Sequence, residues 1–333
     1  MTAYSSISHA AVHVPPGRQT VTEAEDRFRS HSPAVSLSPG VLRHMYGLLE
    51  RTVAHADEQP SDLAAHAALK LFDELGTSAA DDVDLLIFTG ILADMEEPAT
   101  AHLVADKLGL RCPVFDLKNA CNGVLNAIEV ADAFIKAGQY RRVLITTAEV
   151  STRESRWSVD AQDDVLTALP SLSTGDMGSA LLMEASERPG VLGSRFFANS
   201  WGWPAATLPN PYARHRTLGH LHIDSAQLVA SFEGLPQRLR SAVRDIGVPS
   251  VADLDLVCIH QPSVAFTKVA CDWVGVDVDR VQPTFPTHGN VATNTIPLQL
   301  ATALESGRLR RGDLVGLFGF ASGASAGVVV CSW

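Results

Sequence analysis

The feature that most constrains this chain of 333 residues is an order of segments that it runs through twice. LKLFDELGTSAADDVDLLIFT, ending at Thr89, and LRSAVRDIGVPSVADLDLVCIH, ending at His260, share a helix-like run, a glycine stop, a short loop and a strand-like apolar run. Gly76 precedes Asp82 by six residues, and Gly247 precedes Asp253 by six. CNGVLNAIEVADAFIKAGQYRRVLI from Cys121 then parallels NVATNTIPLQLATALESGRLRRGDLVGL from Asn290, with Gly138 and Gly307 as stops, and GDMGSALLM parallels SGASAGVVV. The offsets are 171, 169 and about 149 residues, so the order is kept while loops differ in length. Three matches in one order predict a duplicated pair of similar halves, and the alternation of helix-like and strand-like runs predicts α/β layers.

The duplication has a chemical consequence. It puts Cys121 and Asn290 at corresponding helix starts, and Thr89 and His260 at corresponding strand ends. Halves packed about a pseudo-twofold axis would bring Cys121, His260 and Asn290 together between them. The segment from Ser151 to Ser173 has no counterpart in the second half, and is expected to cover the site or a subunit contact.

A thiol at a helix start faces unpaired backbone N–H groups and the positive end of the dipole, which predicts a shift toward the thiolate nucleophile. Val124, Leu125, Ile128, Ala131, Phe134 and Ile135 are helically spaced behind Cys121. The bland alternative is a small buried thiol at the start of a core helix, and it loses to the convergence of His260 and Asn290 on the same place.

Composition narrows the partners. The chain is 46% hydrophobic and 19% charged, enough to bury a large core, and its net charge of −11 excludes a nucleic-acid surface. Five cysteines are scattered without CxxC or CxxH spacing, so no metal site and no disulfide framework is expected. No uncharged apolar run approaches the length of a membrane helix and the N-terminal run is not signal-like, which predicts a cytoplasmic protein.

The residues around these positions resemble the β-ketoacyl-acyl-carrier-protein synthase III family of the thiolase superfamily. NACNGVLNAIEVADAFIKAG resembles its nucleophile region, IHQPSVAF its histidine motif, THGNVATNTIP its asparagine motif, and STGDMGSALL and GFASGASAG its two glycine-containing terminal strands. The resemblance implies a thiolase fold, with duplicated βαβαβαββ halves forming a five-layer αβαβα sandwich, residues 1–187 carrying the cysteine and 188–333 the histidine and asparagine. It implies an acyl group held on Cys121, an oxyanion hole from the backbone N–H groups of Cys121 and Gly323, and enolate stabilisation by His260 and Asn290. His288 would position the loop. It implies no cofactor, acyl carrier protein or acyl-CoA thioesters as partners, and a homodimer.

Two departures stand out. Where the family places an aromatic gatekeeper this chain reads MEEPATAHL, with Glu97 in its place. Head-to-head condensing enzymes of bacterial olefin biosynthesis carry a glutamate in a similar setting, which makes Glu97 a candidate base or channel residue rather than an ordinary first-turn carboxylate. The tryptophan and arginine that clamp coenzyme A in the family fall at Val41 and Met45, and a carrier-docking arginine at Ala265, leaving Arg153 and Lys268 as docking candidates. Three functions follow: a Claisen condensing enzyme of a specialised-metabolite or lipid pathway, an acyltransferase delivering to oxygen, nitrogen or sulfur, and a non-catalytic partner subunit. The intact nucleophile motif opposes the last.

Overall fold

The computed structural model describes residues 4–76, 82–210 and 220–333. The loop after Gly76 in the first repeat, residues 77–81, and the first three residues of the N-terminal run lie outside that range. In chain order the strands are β1 (Tyr4–His13), β2 (Gly17–Thr20), β3 (Glu50–Val53), β4 (Leu85–Thr89), β5 (Val114–Leu117), β6 (Arg142–Val150), β7 (Asp176–Ser186), β8 (Val191–Ala198), β9 (Ala206–Thr207), β10 (His222–Ile223), β11 (Leu256–Ile259), β12 (Leu314–Ala321) and β13 (Ser325–Ser332).

Two sheets organise the molecule. The first has the order β1-β7-β6-β4-β5 and the second β11-β12-β13-β8; β2 with β3, and β9 with β10, form short ribbons. In both large sheets parallel pairs (β4 with β5 and β6, β11 with β12) are joined to antiparallel ones. Strands such as β4 and β6 are apolar along almost their whole length because both faces are covered.

Helices Gly123–Lys136 and Thr295–Glu305 lie between the sheets. They are apolar on more than one side: Val124, Leu125, Ile128, Ile296 and Leu300 join Ile87, Ile145 and Leu181 of the first sheet to Leu317 and Val329 of the second. Each such buried side chain stabilises the fold by about 1.5–3 kcal/mol. Outside, helices Pro60–Leu75 and Thr100–Leu108 pack Leu63, Leu71 and Val104 on Leu86 and Leu144. Helices Leu235–Asp245 and Val264–Val274 pack Leu239, Val243 and Val274 on Val257 and Val328. The layers therefore run helix, sheet, helix, sheet, helix, as expected of a thiolase-like fold.

The duplication is visible, with one adjustment. The inner helices are each entered through a tight turn, Ala120–Asn122 and Ala292–Asn294. Superposing those turns makes Thr293, rather than Asn290, the counterpart of Cys121. The second inner helix has 11 residues and the first 14, so an alignment anchored on the glycine stops slips by three residues at the helix starts. Asn290 instead lies in the extended stretch before the turn, bridged to Thr174.

Candidate active site

Cys121 follows β5 and occupies the turn that starts the first inner helix. Two glycines allow that turn to sit deep between the sheets. A Cβ on Gly123 would lie 2.0 Å from Thr89 Oγ1 at the end of β4, and one on Gly319 of β12 would lie 1.9 Å from Asn122 Oδ1. Asn122 Nδ2 then donates to the Ser325 carbonyl and hydroxyl, each at 3.0 Å, locking the Cys121 turn of one half onto the last strand of the other. Asn294 does the converse, donating 3.1 Å to Met177 O and accepting 2.6 Å from Ser179 Oγ.

His260 directly follows β11 and is buried. Its neighbours are braced by two buried glutamines. Gln299 accepts from Ile259 N at 3.2 Å and donates to Ile259 O at 2.8 Å, while Gln261 donates to Gln282 O at 2.8 Å and accepts from Thr284 N at 3.0 Å. The His260 backbone donates to Phe318 O of β12, and no partner for its Nδ1 is found among the described residues. Asn290 is held from its main chain: its N–H donates to Ser173 O at 2.8 Å, its carbonyl accepts from Gly175 N at 3.0 Å, and its Oδ1 accepts from Ala292 N at 3.0 Å. With Oδ1 thus occupied, the side chain offers its Nδ2 donor.

These three side chains line one cavity of about 530 Å³. Its polar lining includes Cys121, His260, Asn290 and Ser322. Its apolar lining includes Leu208, Ile223, Leu228, Val229 and Phe266. Phe266 and Phe320 belong to an aromatic cluster with Phe232 and Trp273, ring centroids 5.5–6.3 Å apart, which gives one wall of the cavity a rigid surface.

The electrostatics correct one expectation. Burial, reinforced by the Glu149 carboxylate and opposed by the backbone N–H of Cys121, pushes the Cys121 thiol up to about 12. Burial takes His260 down to about 4. Desolvation of both charges outweighs the helix-start effect, so burial favours the neutral thiol and the neutral imidazole over the thiolate expected from helix position.

Glu149, at the end of β6, was not singled out from the sequence. It is fully buried, accepts from Ile91 N at 3.1 Å and from Thr293 Oγ1 at 2.7 Å, and burial raises it to about 7. The available signal was a lone acidic residue ending an apolar run, RVLITTAEV.

The remaining candidates divide. Gly323, with φ 79°, lies in the turn between β12 and β13, one residue beyond the cavity-lining Ser322, and borders a separate shallow recess with Asn119 and Phe197. Glu97 is exposed and does not line the cavity of its own chain. Arg153 lies outside the cavity lining and directs its guanidinium to Gln59 Oε1 and the carbonyls of Ala56 and Glu58. Lys268 is exposed on the helix whose Ala265 and Val269 line the cavity. His288 is outside the cavity lining and bonds Thr284 O at 3.0 Å, as a loop-positioning residue would. Met45 lines the cavity and is 42% exposed. The segment from Ser151 to Ser173 supplies Ser151, Glu154, Pro170 and Ser173 to the cavity wall, so it borders the site as expected.

A duplicated αβαβα sandwich with a cysteine, a histidine and an asparagine at the junction of its halves defines a thiolase-like acyltransferase. Residues 115–200 match the family described as 3-oxoacyl-[acyl-carrier-protein (ACP)] synthase III, and residues 249–333 match its C-terminal portion. The chain belongs to the β-ketoacyl-acyl-carrier-protein synthase III family of condensing enzymes. A β-ketoacyl-[acyl-carrier-protein] synthase III of Neisseria meningitidis is 27% identical over 335 residues, 99% of each chain. The crystal structure of OleA from Xanthomonas campestris superposes with a TM-score of 0.88 at 26% identity, covering 100% of this chain and 99% of that one. The β-ketoacyl synthase III of Thermus thermophilus gives 0.85 at 26%, covering 98% and 99%. No helix among the described residues is long and apolar enough to cross a membrane.

Proposed function

We propose that this enzyme forms a carbon–carbon bond by Claisen condensation between an acyl group held on Cys121 and a second thioester. The observation that carries the reading is that Cys121, His260 and Asn290, drawn from three separate segments, line one cavity. The thiol attacks the donor thioester, its proton leaves with the departing thiol, and the tetrahedral oxygen is met by the backbone N–H of Cys121; Gly323, expected as the second donor, borders a separate recess. His260 and the Asn290 Nδ2 then donate to the carbonyl oxygen of the second thioester, where negative charge grows as its α-carbon becomes nucleophilic. A neutral imidazole suits that step, since it donates one N–H without carrying a fixed charge. Once that α-carbon has given up a proton or carbon dioxide, its electron pair attacks the acyl carbonyl, the Cys121 C–S bond breaks, and the sulfur takes up a proton to regenerate the thiol.

The halves 1–187 and 188–333 each supply part of this machinery, the first the nucleophile and the second both donors. The donor is carried by a protein rather than clamped as free coenzyme A: Val41 and Met45 offer no aromatic stack or guanidinium for a nucleotide, and Lys268 stands exposed near the mouth for a phosphate-bearing carrier. A homodimer fits β5, which forms the edge of its sheet with partly exposed Val114, Phe115 and Leu117. The pathway is specialised-metabolite or lipid assembly.

The test is intact-protein mass spectrometry after incubation with a panel of acyl-carrier and acyl-CoA thioesters. Wild type is expected to gain one acyl mass, and Cys121→Ala none. Labelling that persists in Cys121→Ala and follows Cys112 would sink the reading. An acyl-enzyme that releases its acyl group only to oxygen, nitrogen or sulfur nucleophiles would establish simple acyl transfer instead.

A further inference from the structure

The buried carboxyl behind the nucleophile is unused by the chemistry above. Glu149 reaches three segments at once: the loop after β4 through Ile91 N (3.1 and 3.3 Å to its two oxygens), the turn after Asn290 through Thr293 Oγ1 (2.7 Å), and Ser151 Oγ (3.4 Å). Thr293 in turn accepts 2.5 Å from Thr147 Oγ1 of β6. Ile91 lines the cavity, and Thr293 is the pseudo-symmetric counterpart of Cys121. The carboxyl thus ties the first half's strand ends to the second half's turn, whose Thr293 packs on the Cys121 turn: a Cβ on Gly123 would lie 3.6 Å from Thr293 Cγ2. A fully buried carboxyl is costly to keep, and this one, held by the hydroxyls of Thr293 and Ser151 and the main-chain N–H groups of Ile91 and Thr293, has no cation against it among the described residues.

We propose that Glu149 is a positioning residue for Cys121: it pins the Ile91 loop and the Thr293 turn around the thiol, and its charge governs how readily that thiol becomes a nucleophile. Hydroxyl and main-chain groups enclose Glu149, and Cys121 is the titratable group on which its charge acts among the described residues. The carboxyl changes charge at about pH 7, so above that pH the thiol must ionise against a neighbouring anion across little solvent. The inference rests on Cys121 being the nucleophile, but alkylation reads the thiol itself and needs no acyl substrate.

The experiment follows alkylation of Cys121 in the full-length protein by iodoacetamide across neutral and mildly alkaline pH, with peptide mapping to separate it from Cys112. Glu149→Gln keeps the shape and removes the charge, so its rate profile is expected to move to lower pH, with alkylation above neutrality faster by roughly tenfold for each unit of displacement. A Glu149→Gln protein that is folded by circular dichroism but shows the wild-type profile, or is slower at every pH, overturns the proposal. Thr293→Val covers the case in which Glu149→Gln does not fold. Losing the hydroxyl that donates to the carboxylate keeps Glu149 protonated to higher pH, so alkylation just above neutrality should be faster than in wild type and converge with it in more alkaline buffer. An unchanged Thr293→Val profile overturns it equally. Faster alkylation together with no acyl labelling by any thioester would leave this proposal standing and sink the functional reading alone.

Discussion

Ala120 and Ala292 adopt the same left-handed conformation, φ 45° and 43°, each as the first residue of the turn that enters an inner helix. Ala324, beside Gly323, has φ 48°, and among the described residues these are the non-glycine positions with positive φ. A methyl-bearing residue held there costs about 1–3 kcal/mol, and such strain persists where the surroundings over-determine it. Here the surroundings are the crossed contacts of Asn122 with Ser325 and of Asn294 with Met177. The pseudo-twofold axis therefore repeats a backbone device, not a side chain: the same elbow presents Cys121 in one half and Thr293 in the other.

The elbow can be tested at Ala120. Glycine relieves the strain but adds chain entropy to the unfolded state, so Ala120→Gly should match wild-type stability within about 1 kcal/mol. Ala120→Val should lose more than about 1 kcal/mol, because a branched side chain resists positive φ. Urea unfolding midpoints measure both. A valine variant as stable as wild type would show that the turn is not strained.

In the proposed condensation His260 and Asn290 serve one developing charge. His260→Ala and Asn290→Ala should still accept an acyl group on Cys121 but lose condensation by roughly two to three orders of magnitude, as for removal of one oxyanion donor. The double variant should fall little further than either alone. Single-turnover assays that begin from pre-acylated enzyme separate the two half-reactions. Full product formation by Asn290→Ala would favour simple acyl transfer.

Stability against pH should reveal two opposed groups. Glu149 is raised from 4.5 to about 7; the native state favours its protonated form, so its contribution is complete below about pH 4.5 and is lost as pH rises through about 7. His260 is lowered from 6.5 to about 4; the native state favours its neutral form, so its contribution is present above about pH 6.5 and lost as pH falls through about 4. Each is worth on the order of 3 kcal/mol, and between about pH 4.5 and 6.5 the two slopes oppose. Relative to wild type, Glu149→Gln should therefore gain stability, and His260→Gln lose its acid-side penalty, in opposite directions along the pH axis. Parallel curves for wild type and either variant, from urea melts across that window, would contradict the assignment for that residue.

Much of this was legible because the repeat carries its own punctuation. The glycine stops at Gly138 and Gly307 and the strand ends at Thr89 and His260 lie where the sequence places them, and helical spacing behind Cys121 describes a helix buried between two sheets. What the sequence could not supply were distances across the junction. Glu149 reads as the polar end of an apolar strand until β6 is seen to run against the Ala292–Asn294 turn, where Thr293 donates to the carboxyl. The thiol's ionisation was misjudged for a related reason: helix position is local and visible in sequence, whereas desolvation depends on both halves closing over the site. The three-residue slip at Asn290 arose because helix length differs between the halves, and glycine stops fix only the C-terminal ends.

Glu97 remains exposed and outside its own chain's cavity, so any catalytic part for it requires a second copy whose cavity it enters. Transfer into a partner's cavity would desolvate the carboxylate and move it toward a usable base. Glu97→Gln should then leave Cys121 acylation intact, slow the condensation half-reaction, and remove a rising limb from its pH profile. A residue acting only as channel wall should instead change the preferred donor chain and leave the profile alone. Light scattering decides whether the partner exists, and a protein that is monomeric yet fully active would remove Glu97 from the site altogether.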